Sequence, residues 1–174
     1  GRLVPENNAH LLIEAHRRMR LRWPLVVVGD APYAGDYIAR LRAAAGRDVR
    51  MPGYVFGEGY AELVHRCGIM CVPTEVGGTH PVIVEAMAAG AALLVSDHPP
   101  NVETVGDSSG TFPLAGGAAA LAEALDALAA DPARRQELGA RAAERVRGRY
   151  SWDACADAYL RLCEIVTAGR AQPS

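Results

Sequence analysis

The chain alternates between short apolar runs bounded by glycine or proline and stretches of ten to fifteen residues with helical periodicity. That alternation restricts the fold more than any other feature. "LVVVGD" reads as a continuous apolar strand stopped by Gly29, and "VRMPGYV", "GIMCVP", "AALLVSD" and "GTFPL" repeat the pattern. Between them lie "DYIARLRAA", "YAELVHRC", "PVIVEAMAAG" and the short "NVETVGD", and ahead of them "LLIEAHRRM" puts Leu11, Leu12, Ala15 and Met19 on one helical face. Asn7 or Asn8 in "PENN" is placed to cap that first helix. Strands separated by helices of this length form parallel sheets covered by helices, so the expected class is α/β, with a Rossmann-like parallel sheet flanked by helices.

After Gly117 the pattern is helical only. "AAALAEALDALAA" carries Leu121, Leu125 and Leu128 at helical spacing, and Asp131 followed by Pro132 opens a second helix running to about Arg147. Ser151 can cap a third, with Tyr159, Leu162, Cys163 and Val166 on its apolar stripe, and 169–174 reads as a frayed tail. Trp23, Trp152 and Tyr159 are expected to pack rather than to stack on sugars.

With 174 residues, half of them hydrophobic, the chain suits one sizeable core and a single domain over 1–174. A net charge of −2 gives no basic face for nucleic acid, and the 18 basic residues are all arginine, which reads as compositional bias. No apolar run reaches the ~20 residues that span a bilayer. The chain starts inside what reads as a strand-to-helix turn, which leads to the expectation of a cytoplasmic fragment with its first strand truncated. The four cysteines form no Cys-x-x-Cys pair and read as buried thiols, and no Asp-x-Asp pair stands ready for a divalent cation, so neither metal nor cofactor is expected.

One loop carries chemistry. "VPTEVGGTHPVIVEAMAAG" takes the end of a strand through Gly77, Gly78 and Thr79 to Pro81, the first residue of a helix bearing Glu85. Glycines let a ligand approach the backbone, and a helix N-terminus offers free amides and a favourable dipole to an anion. Glu85, one turn in, suits two neighbouring hydroxyls, so the loop reads as a diphosphate cradle with a ribose acceptor beside it. A glycine turn with a solvent-facing glutamate is the plainer reading of the same residues. His80, with no acidic neighbour and a proline after it, reads as loop packing rather than acid–base chemistry.

"GRLVPENNAHLLIEAHRR", "LVVVGDAP", "VRMPGYV", "AELVHRCGIMCVPTE", "PVIVEAMAAGAALLVSD", "NVETVGD" and "YSWDACADAY" occur in an order that resembles the C-terminal half of the GT-B-fold glycosyltransferases called group one, or family four. The resemblance implies one half of a GT-B fold that binds a UDP-, GDP- or dTDP-sugar. It implies metal-independent, retaining transfer to a glycan, lipid or small-molecule acceptor, in concert with an N-terminal acceptor domain. It leaves room for peripheral membrane association of the full-length protein. It gives Arg2 the donor diphosphate and assigns Tyr54 and Val55 to the wall beside the base. Gly77, Gly78, Thr79, His80 and Val82 fall at the diphosphate and sugar, and Glu85 at the ribose; Arg2 and Glu85 are the residues most closely tied to catalysis. Two positions depart from the family. Asn7, kept among the substrate-binding positions, stands where a lysine is common, and position 77, where the first glutamate of the acidic pair belongs, is Gly, with Glu75 two residues early: either the loop is rearranged so that Glu75 reaches the donor sugar, or backbone amides take over. "PENN" and "VGGTHP" together resemble the rhamnosyltransferase-like branch. The alternatives are a noncatalytic nucleotide-binding or scaffolding module of the same fold, and a nucleotide-sugar epimerase.

Overall fold

The computed structural model describes residues 1–170, with side chains described to residue 168. β1 (Leu25–Val28) pairs in parallel with β2 (Val49–Gly53), and β3 (Met70–Val72), β4 (Leu93–Ser96) and β5 (Gly110–Phe112) form a second parallel ladder in that order. The first residues join the two. Arg2 bridges Asp30 just beyond β1, Leu3 donates its amide to the Asp30 carbonyl at 3.2 Å, and the Glu75 amide beyond β3 reaches the Glu6 carbonyl at 3.3 Å. The continuous apolar pattern of "LLVS" has its reason in β4: all four residues are buried, as a central parallel strand covered on both faces must be.

The helices α1 (Ala9–Arg18), α2 (Gly35–Ala44), α3 (Gly57–Arg66), α4 (Pro81–Ala88), α5 (Pro99–Val105), α6 (Gly117–Ala130) and α7 (Pro132–Arg149) clothe these sheets. Leu12 and Ala15 of α1, and Met19 just after it, meet Leu121 and Leu125 of α6, with Phe112 and Leu138 beside them. Ile83 and Met87 of α4 meet Ala142 and Val146 of α7 over Leu93 and Val95. α4 and α7 touch through backbone: a β-carbon on Gly139 would lie 2.1 Å from the Gly90 carbonyl oxygen.

Several local expectations are met. Asp131 caps α7 by accepting from the Arg134 amide at 2.9 Å, with Pro132 at the first helical position. Ser151 accepts from the Ala154 amide at 3.0 Å. Others need correction. Neither Asn7 nor Asn8 caps α1 with its side chain; Asn8 takes a left-handed φ of 56° and donates its amide to the Pro73 carbonyl, so tertiary pairing displaces capping. Among the described residues no element covers the final helix, α8 (Trp152–Arg170), and its described side chains are all exposed. Trp152 and Tyr159 therefore do not pack, and Cys155 and Cys163 are exposed rather than buried, whereas Cys67 and Cys71 are half-buried. Trp23 does pack, with the Arg135 guanidinium 4.9 Å above its ring. Of the tail 169–174, α8 includes the first two residues and 171–174 lie outside the described residues.

Candidate active site

The carboxyl ends of the strands point to one rim, and the loop after β3 occupies its middle. Thr74, 3% exposed, anchors that loop. Its hydroxyl lies 3.1 Å from Asn7 Oδ1, and its carbonyl accepts from Ser96 Oγ at 2.5 Å and from the Asn101 amide at 3.4 Å. Two imidazoles grip the glycine segment: His80 Nε2 donates to the Val76 carbonyl at 3.0 Å and His98 Nε2 to the Gly77 carbonyl at 3.1 Å. A carbonyl only accepts, so each Nε2 carries its proton. Gly77 holds φ = 93°, a left-handed value that a side chain resists, and a β-carbon there would sit 3.0 Å from the His80 ring.

The result is a run of backbone donors left without partners among the described residues. None of the backbone N–H groups of Gly77, Gly78, Thr79 and His80 donates to another described residue, and all four precede α4. Pro81, which has no N–H, stands where an amide would otherwise be left over. Such amides at a helix N-terminus form a site for an anion. Glu85, exposed and one turn into α4, receives the Tyr60 hydroxyl on Oε2 at 2.5 Å. Val82, on the same first turn, is half-buried in the α4 core cluster.

Arg2 lies on the neighbouring part of the rim. Its guanidinium is exposed, touches only the Tyr33 hydroxyl at 3.4 Å, and meets no carboxylate among the described residues. Tyr54 is joined to the same place, donating its hydroxyl to the Asp30 carbonyl at 2.9 Å while its ring stacks on exposed Phe56 with centroids 5.6 Å apart. Val55, half-buried, supports that turn. Asn7 spends both ends of its amide on protein, donating to the Arg2 carbonyl at 2.8 Å and accepting from Thr74. Glu75 is exposed, and its carboxylate has no hydrogen-bond partner among the described residues.

Sequence reading brought Arg2, Tyr54, the 77–80 loop and Glu85 to one rim, but missed Tyr60, Ser96, His98 and Asn101. These partners come from other elements, and no local spacing marks them. The site is an open face; two shallow depressions lie apart from the cradle, one among Pro5, Tyr33, Asp36 and Arg40 and one on the outer side of α3.

The family description "Glycosyl transferases group 1" matches residues 1–145. The chain is 36% identical over 133 residues to a phosphatidyl-myo-inositol mannosyltransferase of Mycobacterium leprae, covering 73% of this chain and 35% of that protein. It is 31% identical over 180 aligned positions to the Mycobacterium tuberculosis protein of the same name, covering 97% and 46% respectively. The chain thus spans less than half the length of these curated relatives. Among solved structures, a sucrose-phosphate synthase from Thermosynechococcus elongatus superposes with a TM-score of 0.84 at 24% identity, over 97% of this chain and 44% of that one. Anabaena HepE in complex with UDP-glucose superposes with a TM-score of 0.82 at 20% identity, over 97% and 47%. These two likenesses establish the fold, a Rossmann-like half of a GT-B architecture. With residues 1–145, more than half of its length, matched by the family description, the chain belongs to the group 1 glycosyl transferases.

Proposed function

We propose that this chain is the donor-binding half of a glycosyltransferase, holding a nucleoside-diphosphate sugar whose diphosphate rests on the 77–80 amides and whose ribose meets Glu85. The observation that carries the reading is the set of four unpaired amides ahead of α4 with an exposed carboxylate one turn beyond. Arg2 is a fixed positive charge with a planar donor fork, suited to phosphate oxygens. The Tyr54–Phe56 pair is an aromatic surface on which a base can lie.

In the reaction the bond from the anomeric carbon to the diphosphate oxygen breaks as an acceptor hydroxyl forms the new glycosidic bond. Negative charge then grows on the leaving diphosphate, where the loop amides, the α4 dipole and Arg2 stabilise it. Because these groups supply the positive potential and the sequence has no Asp-x-Asp pair, transfer is proposed to be metal-independent, with retention of configuration as the family resemblance implies. The curated relatives are named for mannosyl transfer to phosphatidyl-myo-inositol, so an inositol lipid is the first acceptor to try with the full-length protein, ahead of a deoxyhexose reaction of the rhamnosyltransferase-like kind.

Calorimetric titration with UDP, GDP and dTDP, with magnesium and with EDTA, tests the reading. Saturable binding of one nucleotide is expected, equal in both conditions and weakened at least about tenfold, some 1.4 kcal/mol, by Arg2→Ala or Glu85→Ala. The reading fails if no nucleotide binds the full-length protein, or if both variants bind like the wild type. A noncatalytic module of the same fold is the second reading, motivated by Asn7 being turned into the protein and by Gly77 at the position of an acid. Nucleotide binding without sugar transfer to any acceptor by the full-length protein would favour it.

A further inference from the structure

Glu85 is exposed on its helix, and a free glutamate there distributes itself over many rotamers. It is not free. The Tyr60 hydroxyl donates to Oε2 at 2.5 Å, and no other described residue hydrogen-bonds this carboxylate. Tyr60 itself is well seated: it lies half-buried on α3 and packs against the cluster formed by Ile83, Met87 and Val64. Its phenol is pushed above the ordinary value of 10.0 by burial and then by the adjoining carboxylate, which keeps it a donor. A hydrogen bond to an ionised acceptor is among the stronger kinds. One carboxylate oxygen is thereby engaged, and the other has no hydrogen-bond partner among the described residues.

We propose that Tyr60 is a positioning residue for ribose recognition: it fixes Glu85 so that Oε1 faces the cradle and accepts from the hydroxyls of a nucleoside diphosphate. The inference rests on the reading of Glu85 as the ribose acceptor and adds a second element, α3, to the site. Two consequences separate it from a merely structural contact. The benefit of Tyr60 must pass through Glu85, and it must be absent for a ligand without ribose.

The experiment titrates the full-length protein with UDP, GDP and inorganic pyrophosphate in four forms: wild type, Tyr60→Phe, Glu85→Gln and the double variant. Tyr60→Phe keeps the ring that packs on α4 and removes only the donor, so Tm is expected to stay close to that of the wild type. The affinity of the nucleotide that binds is expected to fall about five- to tenfold, as loss of a charge-assisted hydrogen bond implies. Pyrophosphate affinity should not change, and in the Glu85→Gln background Tyr60→Phe should cost no further nucleotide affinity. Equal losses for nucleotide and pyrophosphate, or additive losses in the double variant, overturn the proposal. Tighter nucleotide binding by Tyr60→Phe also overturns it, because Tyr60 then occupies Glu85 in competition with ribose. Unchanged nucleotide binding in Tyr60→Phe alongside weakened binding in Glu85→Gln rejects the positioning role alone. Unchanged binding in both rejects the ribose assignment of Glu85 as well.

Discussion

Asp126, on α6, holds the turn between α1 and β1 across a sequence separation of 105 residues. Its carboxylate accepts from the amides of Arg20 at 3.0 Å and Leu21 at 3.2 Å, and Arg20 adds a longer contact of 3.3 Å. Burial works against the charge, but these donors outweigh it and hold the acid below its ordinary 3.8. Arg20 is 85% exposed, so the backbone amides carry the interaction. Asp126→Ala is expected to lower stability by about 1 kcal/mol, since two part-buried backbone amides lose their charged acceptor and water replaces it only in part. A group with a depressed folded-state pKa contributes fully above its unfolded value and loses that contribution as pH falls through the folded one. Denaturant unfolding should therefore show the wild type and the variant apart at pH 7 and converging in acid below pH 3.8.

Among the elements, the pairing of α4 with α7 sets where the 77–80 loop lies relative to the core. Gly139 is buried in α7, and its only way to accept a β-carbon is to move the Gly90 backbone, because that carbon would sit 2.1 Å from the carbonyl oxygen. Gly139→Ala is expected to cost about 1–3 kcal/mol, read as a lower denaturation midpoint at unchanged slope. The elements themselves were legible in the sequence, because continuous apolar runs and period-3.6 patterns survive tertiary context: "LLVS" is a strand and "PVIVEAMA" a helix in both readings. Their ends were less so. Asp131 and Ser151 cap where a cap belongs, but Asn8 is drawn away to the Pro73 carbonyl, 65 residues distant, a partner that local pattern does not reveal. The site divides the same way. Gly77, Gly78, Thr79 and Glu85 stand within one loop and helix and were readable, whereas Tyr60, Ser96, His98 and Asn101 become part of it only when three more elements converge. Asn101 Oδ1 is buried with no partner among the described residues, a feature that spacing could not announce.

The whole molecule has two unequal parts: a body from the first residues to α7, and α8. Trp152, Tyr159, Leu160, Leu162, Ile165 and Val166 are between 48% and 89% exposed, so α8 adds nothing to the core of the body. Ending the chain after Tyr150 is expected to change stability by less than about 1 kcal/mol, a shift in Tm of no more than about 4 °C by calorimetry. The apolar stripe on α8 was correctly read as a stripe, and its burial was wrongly expected, because periodicity shows which face is apolar and not what lies against it.

The same division sorts the thiols. Cys71, held up to about 12 by burial, and Cys67, raised by the same cause, are poor nucleophiles inside the body, while Cys155 and Cys163 stand open on α8. A thiol-reactive dye should therefore modify two of the four cysteines in the folded protein and all four in denaturant, counted by intact mass. Labelling then becomes a footprint of one helix: any surface that comes to cover α8 registers as protection of those two sulfurs, with the rim that carries the 77–80 loop left chemically untouched.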